Sequence, residues 1–319
     1  MELLKAVEIV RENGIEVARE MAATPLERRL VDVAYEVMAD EQQAIGFAYS
    51  GMCLTGLPYR RLPDDQPWIK KGYQVSLMIE PGRLIVRGKP VLFGVPWGSR
   101  GRILLIHLMT QAVRTGSREV TLGRSAKHAL ERMGLSYGGE TGRAVRDQVA
   151  RLSACHLRWS WEKNGGDTNH RGAIISSSFT LHEDGRDNRQ GSLFSDAVIL
   201  DPDFFNALKS HPVPIAEEAV RQLSYSPMAL DIYTWLGYRL HHLERAIDVS
   251  WPALMAQFGP HYKALRHFRD DFTPALSAAC AAYPDARVEL VNDGVNLAPS
   301  HPPVSKVVSL PSPPPKRRK

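Results

Sequence analysis

Two arginines three residues apart, Arg143 and Arg146, follow a glycine-rich turn in the stretch GGETGRAVRDQVARL, residues 138–152. A guanidinium is a planar fork of donors, suited to phosphate oxygens and to the O6/N7 edge of guanine. On a helix turning ~100° per residue, Val145, Val149 and Leu152 share one side. Arg143, Arg146, Asp147 and Ala150 share the other. The stretch predicts a helix with one dry face and one cationic face. Gly138-Gly139 supply the sharp turn before it, and Thr141 is the expected cap. A later stretch, HYKALRHFRDDFTPALSAACAAY (261–283), repeats the design. Leu265, Phe268, Phe272 and Leu276 are expected inward, and Lys263, Arg266, His267 and Asp270 outward. Pro274 falls inside this second helix and predicts a kink or a restart.

Such helices need supports, and the flanking sequence predicts them in matching order. Around the first lie a helix at about 100–114, a short strand EVTL, and a helix SAKHALERMG with Ser125 as cap and Gly134 past its end. After it come HLRWSWEK and GAIISSSFTLHE, strands joined by NGGDTNHR. Helix, strand, helix, turn, helix, hairpin is the order of a winged helix. The order recurs loosely in SPMALDIYTWLGYRLHHL, AIDVS, WPALMAQFG, the second amphipathic helix, and ARVELVNDGVNLA with its Asn-Asp-Gly turn. The expected fold is therefore α+β, two tandem winged-helix domains (helix-turn-helix plus β-hairpin) at 53–200 and 201–298. A helical N-terminal extension (1–52) precedes them, built of helices at 2–22 and from Thr24-Pro25 to about Ala44. A disordered, Pro/Ser-rich basic tail (299–319) follows. QVSLMIEPGRLIVRG reads as two strands around Pro81-Gly82, and Trp159 and Trp161 as a core pair on one strand face.

Charge points the same way. The 319 residues carry a net +5, but Arg100–Lys163 alone holds 12 Lys/Arg against 5 Asp/Glu, a net of +7. That concentration suits double-stranded DNA, whose phosphates attract cations through counterion release. Arg143 and Arg146 are expected on the duplex with Arg124, Lys127, Thr141 and Arg151. The hairpin's Arg158, Lys163 and Arg171 are expected on a neighbouring backbone. From the second unit come Tyr262, Lys263, Arg266 and His267.

Other chemistries lack their residues. None of the 11 histidines forms the His-x-His pair that holds a metal beside a nicking tyrosine. His241-His242 point ~100° apart on a helix and suit its C-terminus instead. GRLIVRGKP has one residue too many between Gly82 and Gly88 for a Walker A loop, and Pro90 where Ser/Thr would meet magnesium. Neither Gly-x-Ser-x-Gly nor His-Glu-x-x-His occurs, and Asp64-Asp65 and Asp270-Asp271 are mere sequence neighbours. Cys53, Cys155 and Cys280 fit neither a disulfide framework nor a zinc ribbon. The N-terminus does not read as a signal peptide, and no apolar run reaches a membrane span. A non-enzymatic, cytoplasmic bacterial protein is expected, with no cofactor, no metal and no membrane.

The block FGVPWGSRGRILLIHLMTQAVRTGSREVTLGRSAKHALERMGLSYGGETGRAVRDQVARL resembles the plasmid-encoded RepA-type replication initiators. The features that carry the likeness are Pro96, Gly98 and Arg100, then QAVRTGSREVTLG, the Met-Gly-Leu helix end, Gly-Gly-x-x-Gly, and Gln148 with Leu152. FAYSGMCLTGLPYRR resembles the family's lead-in, and residues 261–290 are similar, more loosely, to the second winged helix of iteron-binding initiators. The resemblance implies binding to repeated origin sequences (iterons), opening of an A+T-rich stretch, recruitment of the host replicative helicase and contact with the host initiator protein. It also implies plasmid copy control through pairing of bound molecules or a homodimer. A winged-helix transcriptional repressor without origin function is the alternative on the same fold.

Overall fold

A computed structural model describes residues 4–72, 75–121, 130–163, 166–178 and 197–304. The chain is a mixed α and β structure. Helices α1 (Ala6–Met21) and α2 (Pro25–Ala39) form an N-terminal pair. Gly14, at φ +74°, breaks α1 into two segments. Thr24 caps α2 by accepting from the Glu27 amide, and Glu27 reaches back to the Thr24 amide at 2.9 Å. The second helix stops at Ala39, short of Ala44. Beyond it lie two elements that sequence periodicity missed, β1 (Ile45–Tyr49) and α3 (Ser50–Thr55). Both are buried throughout, so neither shows the alternation by which a half-buried element is recognised.

The middle of the chain is built on α4 (Gly98–Thr115), which ends at Gly116 in the left-handed region, φ +65°. Around it run β2 (Trp68–Gly72), β3 (Val75–Glu80), β4 (Gly82–Val86), β5 (Lys89–Phe93) and β6 (Glu119–Thr121). Then come α5 (Gly139–Ala154), β7 (His156–Lys163), β8 (Gly166–Gly172), β9 (Ile175–Ser178) and β10 (Ala197–Leu200). The helix expected at 125–134 is described only from residue 130, and Gly134 ends it at φ +68° as its sequence implies.

Strand partners differ from the sequence expectation in two ways. NGGDTNHR is not a linker. Its residues from Gly166 onward are β8, paired with β7 from Leu157↔Gly172 to Lys163↔Gly166. GAIISSS enters a separate sheet of order β6-β10-β9, while β7 pairs with β3 in the order β2-β3-β7-β8. The hairpin therefore lies on the lead-in strands and not on β6. β3 and β4, adjacent around Pro81, also part company. β4 and β5 form a two-stranded ribbon of their own, turning at Arg87-Gly88.

The last third contains α6 (Pro202–Ser210), β11 (Pro212–Ala216), α7 (Glu217–Gln222) and α8 (Pro227–Arg239). It continues with β12 (Ile247–Ser250), α9 (Trp251–Phe258), α10 (Leu265–Ala281), β13 (Arg287–Val291) and β14 (Gly294–Ala298). The sheet order is β12-β14-β13. α6 packs back on α4 and β1, and β11 pairs along β1, so the chain crosses the expected boundary at 200/201 without a break in packing. α2 packs on α10 and α7.

One buried ion pair ties α4 to α8. Arg102 is 5% exposed and meets both carboxylate oxygens of Asp231 at 2.7 Å, while also donating to the carbonyls of Leu57, Pro58 and Gly98. Residues 299–304, expected in the tail, are held instead. The Ser300 amide donates to the Leu240 carbonyl at 3.2 Å, Tyr283 donates to the His301 carbonyl, and Val304 is buried. The rest of that tail lies outside the described residues.

Candidate nucleic-acid interface

α5 and α10 are held by apolar stripes of the expected composition. Val145, Val149 and Leu152 are buried in α5, and Phe268, Phe272 and Leu276 in α10. Each such side chain contributes about 1.5–3 kcal/mol on burial, enough to fix the opposite face. Leu265 is an exception. It stands in the first turn of α10 and is exposed. α10 also runs through Pro274 as one helix.

The outward residues of α10 and of the segment just before it form an exposed group. Lys263, Arg266, His267, Arg269 and Asp270 are all exposed. Arg266 Nε donates to His267 Nε2 at 3.1 Å, which leaves that ring nitrogen as the acceptor. Tyr262 is half-buried and donates to Asp271 at 2.5 Å, a bond that, after burial, holds its hydroxyl above the usual phenol range. Arg269 lies 4.6 Å over the Trp251 ring and belongs to this surface, a residue that the helical pattern alone does not single out. Its signal is positional: it follows Arg266 by three residues.

α5 is more enclosed. Arg143 is exposed, but Arg146, Asp147 and Ala150 are half-buried, with β4 and β5 packed along the helix. Two expected contacts are not at the surface. Thr141 is buried, and the N-cap is Gly138, which has no side chain to cap with. Arg151 is 2% exposed and spent internally, on Asp147 at 2.7 Å, Asp64 at 2.9 Å and the Val95 carbonyl. It stands on the flank that meets the loop bearing Asp64, where an unpaired arginine would be costly to bury.

The hairpin residues divide. Arg158 is exposed and paired with Glu80 at 2.8 Å. Arg171 stands opposite it in the β7–β8 register, and Lys163 pairs with Gly166 at the hairpin end. The side chains of Lys163, Arg171 and Trp161, and all of Arg124 and Lys127, lie outside the described residues. Trp159 is buried, stacked on Phe204 with Tyr49 at its edge.

These pairings change the meaning of the +7. Arg102, Arg114, Arg151 and Arg158 all meet acids from outside residues 100–163: Asp231, Glu217, Asp64 and Glu80. Folding imports the counter-charge that a segment count omits.

His241 and His242 each place Nδ1 on the carbonyl four residues back, Gly237 at 2.8 Å and Tyr238 at 2.6 Å, closing the end of α8 as its sequence suggests. Among the described residues, no cluster of three His, Cys, Asp or Glu could hold a metal, and no helix is long and apolar enough to cross a membrane.

Residues 95–252 match the family described as plasmid encoded RepA protein. The matched segment spans α4, α5 and the chain as far as the start of α9. Its shared letters have structural tasks. Gln148 accepts from the Trp97 amide at 2.9 Å, and Gly98 starts α4 at φ +68°. Among solved structures, the chain is similar to a crystal structure of domains 2 and 3 of RctB, at 13% identity and a TM-score of 0.49, covering 79% of this chain and 99% of that one. A second crystal structure of RctB domains 2–3 gives 13% identity, 77% and 95% coverage, and a TM-score of 0.48. No curated protein matches the chain.

Proposed function

We propose that this protein, whose residues 95–252 match the plasmid encoded RepA family, initiates plasmid replication by binding repeated origin sequences in double-stranded DNA. It does so without catalysis of its own, and it hands the opened origin to the host helicase with the host initiator. The observation that carries the reading is the exposed cationic face of α10, held by a buried aromatic stripe. In this reading α8, β12, α9, α10 and the β13–β14 hairpin form one winged helix, and α4, β6, α5 and the strands after it form the other. α10 enters a major groove, with Lys263 and Arg266 on phosphates or guanine edges. α5 offers Arg143 and a half-covered Arg146, so it reads fewer bases.

The test is a footprint on DNA from the encoding plasmid, followed by transformation with the origin on one plasmid and this protein supplied in trans. Protected repeats with replication support the proposal. Protection and promoter shut-off without replication would give the repressor reading instead. Nicked circles from supercoiled repeat DNA and magnesium would overturn the absence of catalysis.

A further inference from the structure

The β4–β5 ribbon has no part in the two helix-centred units described above. Its twelve residues, Gly82–Phe93, include three cations and no acid. Arg83, Arg87 and Lys89 are all exposed. Ile85 is 63% exposed and pairs directly with exposed Pro90, so the two project from the same face. Among the described residues the ribbon joins no other strand. A two-stranded ribbon of this kind is marginal alone and needs an anchor.

The anchor is the end of α5. A Cβ on Gly82 would lie 1.8 Å from the Ala154 carbonyl oxygen, and one on Gly94 would meet Asp64 and Arg151 within 3 Å. The base of the ribbon is thus clamped to the helix that also carries Arg143, while its far end projects. At that end Arg87 sits at φ +50° and Gly88 at φ +75°. Two left-handed residues make the tight turn that matches strand twist, but Asn or Gly is the usual first residue. An arginine there is strained, and strain at an exposed charged tip points to a use.

We propose that the β4–β5 ribbon is a DNA-binding arm that lies in the minor groove beside the site occupied by α5. Arg83, Arg87 and Lys89 face phosphates, and Ile85 and Pro90 press on the sugar walls or a base step, as apolar wedges of minor-groove proteins do. The proposal rests on the DNA-binding reading of α5 and α10. The other occupant of an exposed ribbon would be a strand of a second copy. Two features disfavour it. Equal positive charge on both copies repels, and Pro90 sits at a non-hydrogen-bonded pair, so its missing N–H falls on the outer edge where an added strand would need it.

Two measurements on the full chain test the arm. In the first, fluorescence anisotropy over a salt series compares wild type with an Arg83→Ala, Arg87→Ala, Lys89→Ala variant on footprinted origin DNA. The salt slope is expected to drop by up to about 3 units. In the second, Arg87→Cys is labelled with an iron chelate that cleaves nearby DNA. The native Cys53, Cys155 and Cys280 are buried, with thiols raised to about 12 by burial, so labelling is selective. Cleavage at one edge of the footprint, offset as minor-groove attack requires, is the expected result. An unchanged slope or scattered cleavage, with wild type still protecting its repeats, overturns the arm alone. Absent binding by wild type overturns the reading beneath it. Loss of self-association in an Ile85→Lys variant, with DNA affinity intact, assigns the ribbon to a second copy and also overturns the arm.

Discussion

α5 and α10 share one pattern, an apolar stripe backed by cations, and meet opposite surroundings. α10 leaves the outer side of its first two turns open, so Arg266, His267 and Arg269 face solvent, with exposed Lys263 just ahead of the helix. α5 is flanked by β4, β5 and the loop bearing Asp64, and of its three arginines only Arg143 is fully exposed. A helix pattern states which side is dry. Whether the other side is available depends on what the chain lays across it. In α5 that cover comes from residues 60–95, far upstream, and it turns Arg151 from a candidate ligand into a clamp.

The largest expected effect sharpens this difference. Arg151→Ala should lower the unfolding free energy by about 3 kcal/mol, since it strips a buried guanidinium from two carboxylates and a carbonyl. The low end of the range for buried pairs applies because both aspartates are partly hydrated. Urea denaturation measures it. A fully stable variant with weakened DNA binding would return Arg151 to the interface.

A second buried group lies between α4, the helix end at 130–134 and α7. His107 on α4 is 7% exposed with Nε2 unpartnered, and burial, then Arg132 and Arg114, lower its pKa to about 4. The folded value lies below the unfolded one, so the native state binds fewer protons between about 4 and 6.5. Stability is full above that window and falls as pH drops through it, by about 2 kcal/mol at pH 5. His107→Leu should flatten the loss. Melting curves from pH 7 to 4.5 would show it, and an unchanged acid slope would mean that His107 is not the group responsible.

The next effect concerns binding itself. Lys263→Ala and Arg266→Ala should each cost ~1–3 kcal/mol of specific binding, while Arg143→Ala costs less because its helix is half-covered. Anisotropy on repeat and random DNA ranks the three. Equal losses at Arg143 and Arg266 would break the asymmetry drawn between the helices.

What could be read from sequence follows from the range of the forces involved. Helix ends were legible at Thr24-Pro25 and Gly134, because each depends on a few consecutive residues. So were the stripes of α5 and α10. Strand partnership was not. Whether β7 joins β3 or β6 is decided by surfaces remote in sequence, and HLRWSWEK reads the same either way. β1 and α3 were hidden because full burial erases alternation. The site suffered most from imported acids, since no window around Arg102 or Arg151 contains Asp231 or Asp64.

The smallest effect tests whether that last lesson extends to the β7–β8 hairpin. Arg158 and Glu80 are diagonal neighbours across the β3–β7 pairing, about half and one-third exposed, so their bond adds at most about 1 kcal/mol of stability. Its effect on DNA is more telling. A guanidinium held by Glu80 releases few counterions, so Arg158→Ala should reduce the salt slope by less than the unit expected of a free phosphate contact. Glu80→Gln should do the reverse. With the carboxylate neutralised, Arg158 becomes available, and the slope should steepen by up to about one unit. The double variant Glu80→Gln, Arg158→Ala should then return to the Arg158→Ala value. Three salt series on one DNA decide it. If Glu80→Gln leaves the slope unchanged while Arg158→Ala lowers it by a full unit, Arg158 already engages phosphate in wild type, and the hairpin stands with α10 and not with α5.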